Sequence, residues 1–294
     1  MDAIDALIRT QALPAAYRPT VDTVHRPAAD RIVRRFKAAG RPIVVGLCGS
    51  QGSGKSTMAA FLKLLLEGRG LKAAVLSLDD LYLTLPERQR LAREVHPLLA
   101  TRGVPGTHDV GLGIALLDIL TNGPAEVSMP VFDKAEDTRA PAGRWPRVQA
   151  PADVILFEGW CVGARPQADA DLMEPVNALE CDEDRDGVWR RYVNDRLKGD
   201  YAQLFGRIDV LALLQAPSVE AAYDWRALQE QKLADRIRRD GRPGRGVMGP
   251  EAIRRFLMFY QRLTQAILEE MPSRADVLMP MDQNHRILRV EFKS

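Results

Sequence analysis

The chain has 294 residues, 46% hydrophobic and 27% charged, and its 41 Lys and Arg against 39 Asp and Glu leave a formal net charge of +2. Such a balance suits a globular protein with a sizeable core, built as one large α/β domain or as one with a small accessory region. It offers no electrostatic case for nucleic-acid binding, no run approaches the ~18 apolar residues of a membrane span, and the start lacks the basic and apolar regions of a signal peptide, so the expected location is the cytoplasm.

In chain order, residues 1–40 are expected to form a helical accessory segment in which Val21, Val24, Ala28, Ile32 and Val33 share a face, closed by Gly40. Ile43, Val44, Val45 and Leu47 then make an apolar, β-branched run suited to a buried strand. After it, Met58, Phe61, Leu62, Leu65 and Leu66 recur at helical spacing until Gly68 and Gly70 stop the pattern. Between strand and helix lies Gly49-Ser50-Gln51-Gly52-Ser53-Gly54-Lys55-Ser56, which fits G-x-x-x-x-G-K-[ST] at every fixed position. Gly/Ser-rich turns join many strands to helices, but a plain connection has no need of Lys-Ser at the helix entrance. The glycines let successive N–H groups converge on one anion, and the helix start, through Thr57, adds the positive end of its dipole. Lys55 can reach the β- and γ-phosphates of a nucleotide, and the Ser56 hydroxyl can ligate Mg²⁺.

Beyond the loop, strand-like runs alternate with helical patterns. The strand candidates are Ala73–Leu78, Val154–Phe157, Ile208–Leu214, Val277–Met279 and Ile287–Phe292, and the longest clean helix runs from Pro250 to Met271. Short apolar strands separated by helices predict a mainly parallel sheet covered on both faces. Three cysteines, Cys48, Cys161 and Cys181, lie far apart without metal-ligand spacing and read as free thiols of a reducing compartment.

The second strand ends "VLSLDDLY", placing Asp79 and Asp80 at the sheet's carboxyl edge, where ligands of open parallel sheets bind. An aspartate there often only caps the next helix. Beside a phosphate loop it can also accept a proton from an attacking hydroxyl or hold Mg²⁺ through water. The strand "DVILFEGW" ends in Glu158, a second acid that completes a metal-organising set of Ser56, Asp79 and Glu158. Farther on, Arg236, Arg238, Arg239, Arg242 and Arg245 crowd a glycine-flanked stretch. They fit a solvated helix face or a mobile lid whose arginine meets the transferring phosphoryl group, with Arg236, Arg239 and Arg242 the lid candidates. A nucleic-acid patch is disfavoured because aromatic residues are not interleaved.

These elements in this order resemble the P-loop kinases that include phosphoribulokinase, uridine kinase and pantothenate kinase. "SLDDLY" is similar to their S-x-D-x-[FL]-Y segment, which implies that Asp79 is the catalytic base, with Asp80 beside it. "HPLLATRGVPGTHD", "MPVFDKAEDTR", "FEGWCVG", "WRRYVNDRL" and "WRALQEQKL" followed by "GRPGRGVM" resemble the D-glycerate 3-kinase branch. The resemblance implies a three-layer P-loop fold over residues 41–294 with a lid at about 226–249. It further implies ATP and Mg²⁺ as cofactors, with transfer of the γ-phosphate to a primary hydroxyl of D-glycerate. Asp80, Tyr82, Arg102, His108, Asp109, Asp133 and Arg139 fall in the segments implied to line the acceptor site, as do Lys134 and Arg144. A carboxylate substrate needs such cations or N–H donors near the base. The alternatives are the same chemistry on a pantothenate- or nucleoside-like acceptor, or a P-loop regulatory ATPase that signals to a partner.

Overall fold

β1 (Ile43–Gly49) is buried at every position, and its side chains alternate between two cores. Ile43, Val45 and Leu47 enter one, while Val44 and Cys48 enter the other. This is the period-two geometry of a strand covered on both faces. The structure is a computed structural model and describes residues 2–239 and 249–293.

Ahead of β1, α1 (Ala3–Thr10) leads to α2 (Arg18–Thr20), a π turn over Val21–His25, and α3 (Arg26–Ala39). After it come α4 (Lys55–Glu67), β2 (Ala73–Ser77), α5 (Leu85–Glu94) and α6 (Val110–Asn122). Two small ribbons follow, in which β3 (Glu126–Ser128) pairs with β6 (Arg147–Gln149), and β4 (Phe132–Asp133) with β5 (Thr138–Arg139). The chain then forms β7 (Val154–Gly159), α7 (Ala178–Glu183), α8 (Val188–Lys198), α9 (Asp200–Phe205) and β8 (Val210–Gln215). It closes with α10 (Val219–Arg239), α11 (Pro250–Glu270), β9 (Val277–Pro280) and β10 (Glu291–Phe292).

The main sheet has the order β10-β9-β8-β1-β7-β2, parallel except for β10. β1 is flanked by β7 in the register Leu47↔Glu158 and by β8 in the register Leu47↔Ala212. Its carboxyl end is therefore the place where connections diverge to opposite sides of the sheet, leaving a crevice for a ligand. One face packs Met58, Phe61, Leu62 and Leu66 of α4 with Ile4 and Ile8 of α1, Val21, Val24 and Ile32. Residues 1–40 thus share a core with the helix that follows the phosphate loop. The other face carries Leu116 and Leu120 of α6, Trp189 of α8, Tyr201 and Phe205 of α9, and Phe259, Tyr260 and Leu263 of α11.

The mainly parallel, doubly covered sheet is the one the sequence predicts. The last strand is shorter than the expected 287–292. Asp282 accepts backbone bonds from Asn284 and Arg286, turning the chain, and Ile287 makes only an isolated bridge to Met281 before β10 begins. Among the described residues no helix is long and apolar enough to cross a membrane, and all three cysteines are free, with Cys48 and Cys161 buried.

Candidate active site

The phosphate loop follows from backbone freedom. Gly52 and Gly54 hold φ of 79° and 87°, the left-handed region that side chains resist. A Cβ on Gly52 would also come 3.0 Å from Cβ of Trp225, so the loop is pressed against α10. Ser53 donates its N–H to the Ser50 carbonyl at 3.2 Å, tightening the turn, and α4 starts at Lys55 with Gly54 as its cap. The hydroxyls of Ser50 and Ser53 are buried without a hydrogen-bond partner among the described residues. Buried hydroxyls left this way suit a polar ligand in the loop's concavity.

Strand register supplies the first acid. Glu158 lies beside Leu47 of β1 and Ser77 of β2, and is 5% exposed. Its Oε1 accepts hydrogen bonds from Ser56 Oγ at 2.9 Å and Ser77 Oγ at 3.1 Å. A hydroxyl paired with a carboxylate at the helix entrance is a hard-oxygen donor set, and it fits Mg²⁺, which takes one or two protein oxygens and completes its shell with phosphates and water. No cluster of three or more His, Cys, Asp or Glu suited to a metal occurs among the described residues.

Asp79 and Asp80 emerge from β2 in a short 3₁₀ turn, Leu78–Leu81. Asp79 receives Lys134 Nζ at 2.9 Å and the Tyr82 hydroxyl at 3.3 Å. Burial pushes its carboxyl up, but the charges of Lys134 and Lys55 outweigh that and hold it at about 2. Asp80 turns the other way and accepts the N–H of Phe132 at 3.0 Å, fastening β4 beneath the site, and burial raises its pKa.

A cavity of about 460 Å³ joins these parts. Gln51, Gly52, Gly54, Lys55, Ser56 and Thr57 line its floor, and Asp79, Tyr82, Arg102 and Lys134 one side. Trp160, Phe256, Tyr260, Arg226, Gln11, Ala12, Leu13, Trp225, Leu228 and His285 line the rest of it. Arg102 is held by the Asp137 carboxylate, and its guanidinium lies 5.4 Å from the Phe132 ring centre.

The other expected acceptor residues do not line this cavity. Asp109 caps α6 through the Leu112 N–H at 3.0 Å and pairs with Arg139 at 3.1 Å. Arg139 also donates to the Tyr82 carbonyl at 3.2 Å. His108 is buried, with Nδ1 at 2.6 Å from the Tyr201 hydroxyl and its ring stacked on Tyr82 at 4.4 Å. Burial lowers its pKa to about 3 and keeps it neutral. Asp133 accepts the N–H groups of Ala135 and Glu136, which forms the β4–β5 turn and lets Lys134 reach Asp79. Arg144 is exposed. Of the lid candidates, Arg242 lies outside the described residues, and Arg236 and Arg239 fall on α10. Arg226, at the start of the predicted lid, lines the cavity. Tyr260 and His285 carry no motif of their own and are brought in by helix and turn packing, while Trp225 opens the WRALQEQKL string.

The chain has relatives among known proteins. The chain is 34% identical over 209 residues to the "uncharacterized kinase mug58" of Schizosaccharomyces pombe, covering 68% of this chain and 74% of that one. It is 31% identical over 250 residues to the chloroplastic D-glycerate 3-kinase of Arabidopsis thaliana, covering 80% of this chain and 50% of that protein's length. The chain belongs to the D-glycerate 3-kinase family of P-loop kinases. A solved structure of D-glycerate 3-kinase from Cryptococcus neoformans var. grubii has the same fold, with a TM-score of 0.74 and 24% identity over 92% of this chain and 99% of that one. The family model described as "Methylmalonyl Co-A mutase-associated GTPase MeaB" matches residues 17–82. That stretch holds the phosphate loop and Asp79 but stops before Glu158 and the ribbon that carries Lys134.

Proposed function

We propose that the protein transfers the γ-phosphate of ATP to the primary hydroxyl of D-glycerate, giving 3-phosphoglycerate and ADP. The observation that carries this reading is the Asp79–Lys134 pair, set at 2.9 Å on the wall of the cavity whose floor is the phosphate loop. Lys55 and the loop amides hold the phosphates, and Ser56 with Glu158 holds Mg²⁺, which neutralises charge on the transferring group. Asp79 orients the acceptor hydroxyl and accepts its proton. A carboxylate with a pKa near 2 is a weak base, which suits a loose phosphoryl-transfer transition state where the hydroxyl becomes acidic only as its bond to phosphorus forms. Arg102, fixed by Asp137, presents a fork to the acceptor's carboxylate. Arg226, on the cavity wall, is placed to neutralise charge on the phosphates. The three free cysteines suit the reducing cytoplasm.

The test is ADP formation by purified protein with MgATP, with and without D-glycerate, and NMR identification of the product. Strong stimulation and 3-phosphoglycerate are expected. Stimulation by pantothenate or a nucleoside instead would replace the substrate and keep the kinase, whereas nucleotide-dependent protein binding without any acceptor would favour a regulatory ATPase.

A further inference from the structure

A second cavity, of about 340 Å³, opens on the face of the sheet that carries α8 and α9. Among the described residues it shares no lining residue with the cavity over the phosphate loop. Leu197 from the end of α8, Phe205 from α9, and Ile208 and Leu211 at the entry to β8 give it an apolar lining. Space remains because small residues, Ala164, Ala202 and Gly206, stand where larger side chains would fill it. Gly163, beside them, holds φ of 77°, and a Cβ there would come 2.8 Å from Leu211 Cδ1. The volume falls in the range of small-molecule sites.

Charge decides what such a space suits. Two arginines line it, Arg165 and Arg274, and no acid does so among the described residues. Arg274 is already engaged: its Nε and Nη2 donate to the Glu270 carboxylate at 2.7 and 2.6 Å, and Nη2 also donates to the Gly163 carbonyl at 2.6 Å. Arg165 is exposed and makes no hydrogen bond or ion pair among the described residues. With Glu270 offsetting Arg274, one positive charge is left without a counter-charge.

We propose that this cavity is a second ligand site, for a monocarboxylate with an apolar tail. The carboxylate pairs with the Arg165 guanidinium, and the tail lies against Leu197, Phe205, Ile208 and Leu211. A guanidinium fork matches a carboxylate, and a single unneutralised charge favours a monoanion over a phosphate dianion. Burying the tail removes apolar surface from water on both sides of the contact. The occupant is an effector and not a substrate, because neither Asp79 nor the phosphate loop lines this cavity. Its place fits that role. The turn after β7 serves both cavities: Trp160 lines the first and donates Nε1 to the Gly103 carbonyl at 2.9 Å, while Gly163 and Ala164 line the second. The assignment does not depend on the kinase reading.

Ligand-observed NMR titration with octanoate, and with octanol as its uncharged counterpart, tests the site. Saturable octanoate binding to the unaltered protein is expected, and saturating MgATP should leave it in place. Arg165→Ala, at an exposed position, is expected to weaken octanoate binding about fivefold while octanol binding stays within about twofold. Ala202→Phe, at an exposed position of α9, puts a ring into the cavity and is expected to abolish saturable binding of both. Absence of saturable octanoate binding, its displacement by MgATP, or unaltered octanoate affinity in either variant would each overturn the assignment. So would equal losses of octanoate and octanol in Arg165→Ala, because the charge would then not be read.

Discussion

Asp79 is where the chemistry of a single residue can be tested most directly. Replacing it by Asn keeps its size and its contact with Lys134 but removes the charge proposed to accept the proton. Turnover of Asp79→Asn is expected to fall by about 10²–10⁴ while MgATP affinity changes little, as steady-state kinetics beside calorimetry would show. Turnover near that of the unaltered protein would remove Asp79 from the base role. Because Asp79 is held at about 2, it protonates only as pH falls through that value, and it gives the rate profile no acid limb between pH 5 and 8. Lys134→Met removes one of the two charges that hold it down, so an acid limb is expected to move upward into the measurable range. The pH profile of kcat/KM in that variant checks the direction, and an unshifted profile would mean that Lys134 does not govern the ionisation of Asp79.

At the scale of elements, the cavity wall that carries Arg102 depends on how α5 and the β4–β5 ribbon are tied together. Arg88 of α5 is wholly buried, and its guanidinium donates to the carbonyls of Leu83, Ala100 and Asp137, the last two at 2.6 Å. It also pairs with the Asp137 carboxylate at 2.8 Å, the same carboxylate that holds Arg102. Arg88→Met would leave three carbonyls with a lost partner and Asp137 with one charge fewer, and destabilisation of about 3 kcal/mol is expected. Urea unfolding measures that loss, and a loss well under 1 kcal/mol would show that water replaces the guanidinium. The sequence marks Arg102 through a resembling segment, but nothing in its spacing shows that Arg88 and Asp137 steer it. Those bonds join residues 49 positions apart through carbonyl oxygens, which carry no residue-type signal.

For the whole molecule, what could be read beforehand follows from periodicity and local backbone demands. The buried parallel strands announce themselves as apolar runs, and the loop is legible because its glycines and Lys55 serve a local geometry. Ala12 and His285 line the cavity only through the packing of α1 and of the turn after β9, so no pattern announces them. The same packing places His25, from the π turn, in the core beneath α4. It is unexposed, stacked on Phe61 at 5.1 Å with planes 3° apart, and its Nε2 lies 2.9 Å from the Tyr17 hydroxyl. Burial lowers its pKa to about 4, against about 6.5 in an unfolded chain. Between those values the unfolded state binds the additional proton, so stability rises with pH across the window. The contribution is complete above about pH 6.5 and is lost as pH falls toward 4, on the order of 3 kcal/mol in all. His108, lowered to about 3 by burial, adds to the same slope. Unfolding free energies measured from pH 7.5 to 4 should therefore fall steadily for the unaltered protein. His25→Phe, which keeps a ring against Phe61, should flatten that fall by roughly half, the remainder belonging to His108. An unchanged slope in the variant would show that His25 already reaches water in the folded state, and that α1–α3 do not seal that face of the sheet.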